Sequence, residues 1–299
     1  MEPALHLLAT RRFAVLTGAG VSTDSGIPDY RGPGARVRAP MTYQEFVSGE
    51  PARQRYWARS YLGWSRMRHA EPNISHHALA RLEAAGHVPL LITQNVDGLH
   101  ERAGSRALCA LHGRIADVRC LACGDRSSRA GLQQRMEGAN PGWAQRHVDV
   151  VVRPDGDVEL DTTSGFVVPT CERCGGLLKP DVVFFGESVP KDRVQRCFDA
   201  VESAGALLVA GSSLTVLSGF RFVRHAAKQG IPVVIVNQGT TRGDELATYK
   251  VDAGCAPFLS TLTAALTGTA GTAWTAGTPV QETSRRTDST TPSPASTSP

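Results

Sequence analysis

The sequence predicts an α/β fold in which a small domain interrupts a larger domain built on a parallel sheet. Short apolar runs, rich in leucine and β-branched residues, are typical of buried parallel strands and recur at residues 13–17, 88–93, 182–185, 206–210 and 231–237. Helical stretches lie between them, and each ends close to a glycine, at residues 76–85, 191–203 and 220–229. Because strand and helix alternate, the chain is assigned to the α/β class.

Two segments interrupt this alternation and are assigned to the small domain. The first contains a predicted helix at residues 54–64 with four aromatic side chains, and the second carries two pairs of cysteines. The expected boundaries are 32–73 and 114–176 for the small domain, and 1–31, 74–113 and 177–267 for the larger one.

The chain from residue 268 onward has a different composition. It consists mostly of Thr, Ser, Ala, Gly and Pro, with almost no large apolar residue. Because such a segment buries too little apolar surface to offset its ordering entropy, residues 268–299 are predicted to be a disordered tail.

Composition narrows the function classes. The 299 residues carry a formal net charge of +4, and the charged residues are scattered, so a nucleic-acid partner is not supported. Neither a secretion signal nor an apolar run long enough to span a membrane is present, so we expect no membrane contact. Seven cysteines in a chain of this length indicate metal binding in a reducing cytoplasm rather than a disulfide scaffold.

Four of these cysteines form two C-x-x-C pairs, Cys120 with Cys123 and Cys171 with Cys174. Each pair can direct two thiolates at one ion, and two pairs complete the tetrahedral set of a structural zinc site with no open position. Two redox motifs or two disulfides are the alternatives. The long interval between the pairs, residues 124–170, contains the turn signals Asn140-Pro141-Gly142 and Pro154-Asp155-Gly156 and is expected to be a loop insertion.

A glycine loop follows the first predicted strand, with the sequence Gly18-Ala19-Gly20. Glycines between a strand and a helix allow backbone amides to approach a phosphate, although a tight turn is an alternative explanation. The next glycine is Gly26, which does not match the dehydrogenase fingerprint. The polar loop that continues to Arg31 indicates a nucleotide that is cleaved rather than used for hydride transfer.

Four further blocks follow in order: Thr93-Gln94-Asn95-Val96-Asp97-Gly98-Leu99-His100, His112-Gly113, Gly211-Ser212-Ser213-Leu214 and Val236-Asn237-Gln238-Gly239. With the glycine loop and the cysteine pairs, this ordered set resembles the sirtuin family of NAD-dependent protein deacylases over about residues 5–266. Residues 53–64 (RQRYWARSYLGW), together with Val236-Asn237 and Thr241-Arg242, resemble the class II, lipoamidase-type branch. The resemblance implies a Rossmann-like parallel-sheet domain with an inserted small domain made of a zinc ribbon and a helical module.

The resemblance also implies roles for individual residues. The catalytic set is His112 as the base with Asn95 and Asp97. The residues implied to bind NAD are Gly18, Ala19, Gly20, Ile27, Pro28, Asp29, Arg31, Gln94, Asn95, Asp97, Gly211, Ser212, Ser213, Asn237, Gln238, Gly239 and Cys255. Zinc is held by Cys120, Cys123, Cys171 and Cys174. The substrate backbone is expected to pair with a strand edge formed by Val183, Phe184, Phe185, Gly186 and Glu187.

Each of these residues also has a structural explanation when it is considered alone. His112 is then a histidine hydrogen-bonded in a turn, Asp97 a helix cap, Asn95 a turn former and Cys255 a buried packing residue. Only their joint occurrence in the family order favours the functional explanation.

The reaction implied by the resemblance is removal of acyl groups from lysine side chains of proteins or peptides. The acyl-lysine oxygen attacks the ribose carbon of NAD that bears nicotinamide, and His112 then accepts a proton from a ribose hydroxyl, so that the acyl group passes to ADP-ribose. Transfer of ADP-ribose to a protein side chain is an alternative that uses the same pocket. A non-catalytic NAD-sensing or nucleic-acid module is a third possibility, which the set of Asn95, Asp97 and His112 argues against.

The preferred acyl chain is a further expectation. Sirtuins that remove succinyl groups resemble one another in a Tyr-x-x-Arg pair in the small domain, where the guanidinium binds the carboxylate. We assign no such pair between residues 32 and 64, so we expect neutral acyl groups to be preferred over succinyl, with Arg36 or Arg38 as the alternative partner of a carboxylate.

Overall fold

The computed structural model describes residues 1–29, 40–147, 158, 160 and 163–268. The described strands are β1 (Phe13–Thr17), β2 (Leu91–Thr93), β3 (Leu108–Ala110), β4 (Gly113–Cys120), β5 (Arg126–Ser128), β6 (Leu178–Val182), β7 (Ala206–Ala210), β8 (Val233–Val236) and β9 (Tyr249–Val251). The described α-helices are α1 (Glu2–Ala9), α2 (Tyr43–Val47), α3 (Glu50–His69), α4 (Ile74–Ala84), α5 (Leu99–Arg102), α6 (Arg129–Ala139), α7 (Lys191–Ser203), α8 (Leu217–Lys228) and α9 (Cys255–Thr267).

Six strands form the large sheet in the order β3-β2-β1-β7-β8-β9, and every neighbouring pair is parallel. Both faces are covered by helices, so successive residues of a strand enter different cores. Phe13 and Val15 of β1 pack with the core formed by α1, α4 and α9. Ala14 and Leu16 pack with the core formed by α7 and α8. The predicted α/β class is confirmed, and the apolar runs are continuous because neither face meets solvent.

One predicted strand of the parallel sheet, residues 182–185, is wrong. Strand β6 ends at Val182 and pairs antiparallel with β4 in a separate three-stranded sheet of order β5-β4-β6. The following amide, that of Val183, donates to the carbonyl oxygen of His112 at 2.8 Å. The apolar run is therefore bound to the small sheet, which extends from Gly113 to Val182, beyond the expected boundary at residue 176. An apolar run shows that a segment is buried but not which neighbour it pairs with.

The predicted helices all occur; the helix at residues 191–203 has the predicted ends, and the ends of the others are shifted. The helix expected at 54–64 is longer and spans Glu50–His69. The interval between the cysteine pairs was expected to be a loop, but it contains α6, whose Leu132 and Met136 are buried in the small-domain core. The turn signal at residues 154–156 and the tail after residue 268 lie outside the described residues. No helix among the described residues has the length and apolarity that crossing a membrane requires.

Candidate active site

The expected NAD-binding residues lie on loops at the carboxyl ends of the parallel strands. Gly18 follows β1 and Gly211 follows β7. These two strands are neighbours from which the chain proceeds in opposite directions, through β2 and β3 on one side and through β8 and β9 on the other. Such a switch point opens a crevice between adjacent loops, which is where open parallel sheets bind ligands.

The loops after β1 and β7 approach each other so closely that side chains are excluded. The Gly18 amide donates to the Ala210 carbonyl at 3.1 Å, and the Gly20 amide donates to the Gly211 carbonyl at 2.9 Å. A Cβ atom at Gly18 would lie 2.8 Å from the Gly211 oxygen, and one at Gly211 would lie 2.5 Å from the Val21 nitrogen. Gly18 itself has an extended backbone with φ −131°. Close loop packing, rather than a turn with positive φ, therefore requires Gly18.

Beside this loop, Asn95 and Asp97 meet at the hydroxyl group of Ser22. The Asn95 side-chain amide donates to Ser22 Oγ at 3.0 Å and to the Gly18 carbonyl at 3.1 Å. Ser22 Oγ in turn donates to Asp97 Oδ2 at 2.8 Å. Asp97 also caps α5, because its Oδ1 accepts from the Leu99 amide at 2.9 Å. Burial raises the pKa of Asp97, and the two hydrogen bonds oppose that rise.

Two buried histidines extend this network, although sequence reasoning assigned neither of them a role. His76 Nδ1 accepts from the Asn73 amide at 3.2 Å, which leaves Nε2 to donate to Ser22 Oγ at 3.4 Å. The His100 ring lies 4.7 Å from the His76 ring, and its Nε2 lies 3.0 Å from Thr17 Oγ1. Burial lowers the pKa of His76 to about 4 and that of His100 well below its usual value. Both rings are neutral near pH 7; His100 could have been found as the last residue of the block 93–100.

His112 lies where the chain leaves β3 and enters β4. Its Nδ1 donates to the Gln94 carbonyl at 2.8 Å, so Nε2 carries the lone pair of the neutral ring and accepts from Ser218 Oγ at 2.7 Å. Burial is the largest cause that lowers the pKa of His112 to about 4, and Arg193 and Arg221 add to it. The imidazole is therefore an uncharged proton acceptor at neutral pH. Ser218 is a contact that sequence reasoning missed.

The residue after His112 must be glycine. Gly113 has φ +80°, and a Cβ atom there would lie 2.0 Å from the carbonyl oxygen of Asp181 in β6. Any larger residue would separate β4 from β6 directly beside the imidazole.

Gln94 connects the His112 side of the crevice to the loop after β7. Its side-chain amide donates to Ser212 Oγ at 2.8 Å, while its backbone carbonyl binds His112. The next residue, Ser213, bonds to Thr215 through its hydroxyl group at 3.2 Å.

The loops after β8 and β9 carry the residues expected at the adenosine end. The Asn237 side-chain amide donates to the Gln238 carbonyl at 2.7 Å, and the Gly239 amide donates to Asp252 Oδ1 at 2.9 Å. Cys255 begins α9, and burial raises the pKa of its thiol to about 12. A neutral thiol of this kind is also consistent with its alternative explanation as a packing residue.

Three residues of the expected cofactor loop are described. Ile27 is buried in the small-domain core and its amide donates to the Ser22 carbonyl at 3.3 Å, whereas Pro28 is exposed and Asp29 is half-buried. Arg31 lies outside the described residues.

The expected substrate segment follows β6 and is tied to both domains. The Val183 amide binds His112, and the Phe185 carbonyl accepts from the Tyr43 amide at 2.9 Å in an isolated bridge. Phe184 points into the small-domain core, with its ring 5.3 Å from Phe46, while Phe185 is 41% exposed. Gly186 has φ +79° and its carbonyl accepts from the Gln44 side chain at 3.4 Å.

A buried ion pair fixes the end of this segment. Lys179 is 5% exposed, and its ammonium group lies 3.0 Å from Glu187 Oε2 and 4.6 Å from the Phe184 ring centroid. It also donates to the Val182 carbonyl. Glu187 Oε2 accepts from the Phe184 amide at 3.0 Å. Lys179, which sequence reasoning did not single out, therefore shapes the turn that presents Phe185.

The small domain also contains a Tyr-x-x-Arg pair, Tyr56 and Arg59 in α3, which corrects the basis for the expected neutral-acyl preference. The Tyr56 ring lies 5.2 Å from Phe184 of the substrate segment. The Arg59 guanidinium donates to the Leu160 carbonyl at 3.1 Å. The pair was visible in the sequence and was overlooked. The expected preference for neutral acyl groups therefore loses the argument on which it was based.

The four paired cysteines converge as predicted. Their sulfur atoms all lie within 4.8 Å of one another, with Cys120 and Cys174 at 3.6 Å and Cys123 and Cys171 at 3.9 Å. Tetrahedral zinc with Zn–S bonds of about 2.3 Å separates its sulfur ligands by about 3.8 Å. The donor set therefore fits one zinc ion. None of the seven cysteines, all of which are described, forms a disulfide.

The Sir2 family model matches residues 18–218 of this chain. The chain belongs to the Sir2 family. It is similar to "NAD-dependent protein deacetylase 1" of Mycobacterium avium (strain 104), with 56% identity over 260 residues that cover 86% of this chain and 92% of that protein. It is also similar to "NAD-dependent protein deacetylase" of Xanthomonas campestris pv. campestris (strain 8004), with 52% identity over 266 residues that cover 87% of this chain and 90% of that protein.

Solved structures of the family share the fold. A Sir2 structure with p53 peptide and NAD+ superposes with a TM-score of 0.71 at 32% sequence identity, covering 87% of this chain and 95% of that chain. The predicted sirtuin family and its fold are therefore confirmed. The finer assignment to the class II, lipoamidase-type branch is not confirmed, because the relatives cited above are named as deacetylases.

Proposed function

We propose that this Sir2-family chain is an NAD-dependent protein-lysine deacylase whose catalytic base is His112. The observation that carries the proposal is the neutral imidazole, whose unprotonated Nε2 is hydrogen-bonded to Ser218, at the carboxyl edge of the sheet beside the network of Asn95 and Asp97. The relatives named as deacetylases support acetyl-lysine proteins or peptides as substrates.

The residues of the crevice fit NAD. Bound NAD would supply an electrophilic ribose carbon and the ADP-ribose that accepts the acyl group. The glycines of the loops after β1 and β7 pack backbone against backbone, so main-chain groups would lie near a phosphate there, and Gln94, Asn95 and Asp97 present polar groups beside them. The remaining residues that we assign to cofactor binding follow β8 and β9, where they would contact the adenosine end.

The chain's own residues then have distinct tasks. The Gln94 carbonyl fixes the His112 tautomer, so that Nε2 accepts the proton from a ribose hydroxyl. Asn95 holds the Gly18 carbonyl and Ser22 in place and so orders the ribose pocket. Lys179 and Glu187 set the turn that presents the Phe185 backbone to an extended peptide. Zinc would be held by the four cysteines as a structural ion with no open position.

Free thiols and the cysteine cluster are typical of a reducing compartment, so we propose a cytoplasmic location. Scattered surface charge gives no support for nucleic acid as a partner.

In the decisive experiment, the protein is incubated with NAD and peptides that carry acetyl-, succinyl- or lipoyl-lysine, and the products are identified by mass spectrometry. We expect free lysine peptide, nicotinamide and O-acyl-ADP-ribose in equal amounts, with the acetyl peptide turned over. Peptide that gains the mass of ADP-ribose would instead indicate the transferase alternative, and NAD left intact with every peptide would contradict an enzymatic function. Arg59→Met tests whether any succinyl activity depends on the Tyr-x-x-Arg pair.

Ser218 is expected to position the base. Because its hydroxyl group is 2.7 Å from His112 Nε2, Ser218→Ala should lower kcat for deacetylation by about two- to tenfold, the effect of one hydrogen bond of about 0.5–1.5 kcal/mol. Ser218→Thr keeps the hydroxyl group and should restore most of the loss, while KM for NAD changes little. Steady-state kinetics on acetyl peptide measure both parameters.

The matched control is Ser203→Ala at the end of α7, where the hydroxyl group bonds only locally to the Ala200 carbonyl. A loss of the same size in Ser203→Ala, or in Ser218→Thr, would assign the effect of Ser218→Ala to general destabilisation.

A further inference from the structure

Two cysteines that take no part in the zinc site or the crevice lie side by side in the core of the large domain. Cys109 belongs to β3, the edge strand of the large sheet, and Cys197 belongs to α7, which packs on that sheet. The Cys197 thiol donates to Cys109 Sγ, and the two sulfur atoms are 3.3 Å apart although 88 positions separate the residues in the chain.

We propose that Cys109 and Cys197 form a peroxide-sensitive dithiol that converts to an intramolecular disulfide. The sulfur atoms need to approach by only about 1 Å to reach the disulfide bond length of about 2.0 Å. This proposal does not depend on the deacylase activity.

Access to the pair comes from the Cys109 side. Cys197 is fully buried and Cys109 is 3% exposed, but residue 109 contributes to the lining of a cavity of about 280 Å³ between β3, the start of α7 and the small sheet. The lining is mixed in charge, because Arg193 and Arg196 share it with Asp181 and Asp192. A small neutral oxidant such as hydrogen peroxide can therefore reach Cys109 first and leave Cys197 as the second thiol.

The surroundings of Cys109 favour its thiolate. The hydrogen bond from Cys197 lowers the pKa of Cys109 most, and the cationic Arg196 and Arg193 lower it further, against the opposing effects of burial and of the Asp192 carboxylate. The thiolate is the form that reacts with peroxides. Cys197, by contrast, has its pKa raised, first by the same hydrogen bond and then by burial.

The chemistry balances with one equivalent of peroxide. The Cys109 thiolate attacks one peroxide oxygen, the O–O bond breaks, and sulfenic acid and water form after one proton is taken up. Cys197 sulfur then attacks the sulfenic sulfur, the S–O bond breaks, and a second water leaves with the Cys197 proton. The two sulfurs together lose two electrons, and both oxygens of the peroxide end as water.

A metal does not explain the pair. In the described part of the chain, the group of cysteine, histidine and acidic side chains arranged to hold an ion is the cluster of Cys120, Cys123, Cys171 and Cys174. Simple packing explains the burial of two thiols, but it does not explain why their sulfur atoms are in hydrogen-bond contact beside a cavity with charged side chains.

The test uses the full-length zinc-loaded protein, treated with increasing equivalents of hydrogen peroxide and then blocked with N-ethylmaleimide under denaturing conditions. Trypsin places the two cysteines on peptides 107–114 and 197–221. We expect these peptides to become linked with the loss of two hydrogen atoms before zinc is released, and dithiothreitol to reverse the link. A higher Tm of the oxidised protein should accompany it, because the bond closes a long loop.

Variants separate the two sulfurs. In Cys197→Ala, Cys109 loses the hydrogen bond that favours its thiolate, so it should oxidise more slowly and stop at a sulfenic acid that dimedone traps, whereas Cys109→Ala should leave Cys197 unoxidised at the same dose. Circular dichroism establishes that each variant is folded before treatment, and Cys255→Ser, at another buried cysteine, should still form the link. Zinc release before any link appears, or equal oxidation of Cys197 in Cys109→Ala, would overturn the proposal.

Discussion

His112→Ala is expected to slow deacetylation by about two to four orders of magnitude, the usual contribution of a positioned general base. The reason is that His112 presents an uncharged imidazole at this edge of the crevice, with its tautomer fixed by Gln94. Single-turnover measurements with acetyl peptide and NAD give the rate. NAD binding, measured by calorimetry, should change much less, because the loop packing of Gly18 and Gly211 does not involve the imidazole.

Asn95→Ala provides the comparison for this variant. Exchange of labelled nicotinamide into NAD reports the first bond cleavage, which precedes the proton transfer to His112. Exchange should therefore persist in His112→Ala but fall together with deacetylation in Asn95→Ala, whose side chain holds Ser22 and the Gly18 carbonyl. Deacetylation by His112→Ala at nearly the rate of the unchanged protein would remove the base from the mechanism.

Cys171→Ser is expected to remove zinc and unfold the small domain. Four thiolates supply all ligands of a closed site, and such sites contribute about 10–16 kcal/mol to the folding of small zinc modules. Cys171 is buried beside the segment that leads into β6, so its loss also disturbs the substrate turn. Elemental analysis should find about one zinc per chain before the change and far less after it, with deacetylation lost.

The matched control for the zinc prediction is Cys255→Ser, a buried cysteine outside the cluster, which should retain its zinc. A Cys171→Ser protein that is soluble, active and free of metal would show that the cluster does not need an ion.

The sequence was sufficient to predict the central strands and the order along the chain of the segments that carry the site residues. Residues 13–17 and 206–210 were predicted with the bounds of β1 and β7, because both strands are apolar on two faces. The short edge strands β3 and β9 were missed, since three residues give no periodicity. The buried face of α6 was missed as well: it includes Arg129, which is fully buried with its guanidinium between the rings of Trp57 and Trp64.

Contacts between distant segments explain what could not be predicted at the site. The serine that binds His112 lies 106 positions away, and the contact exists only because α8 begins opposite the end of β3. The ion pair of Lys179 and Glu187 depends on the turn after β6. This turn was not predicted because the apolar run 182–185 has the composition of a strand.

The position of His112 has a consequence for how the two domains communicate. The chain passes from the large sheet to the small sheet at His112, and returns beside it, where the Val183 amide binds the His112 carbonyl. The imidazole is held by Gln94 and Ser218 of the large domain, while the backbone of the same residue is anchored to the strand that returns from the zinc cluster. A displacement of the zinc-bearing sheet would therefore reach the base directly through the backbone of residue 112, so an intact zinc module helps to keep the imidazole aligned.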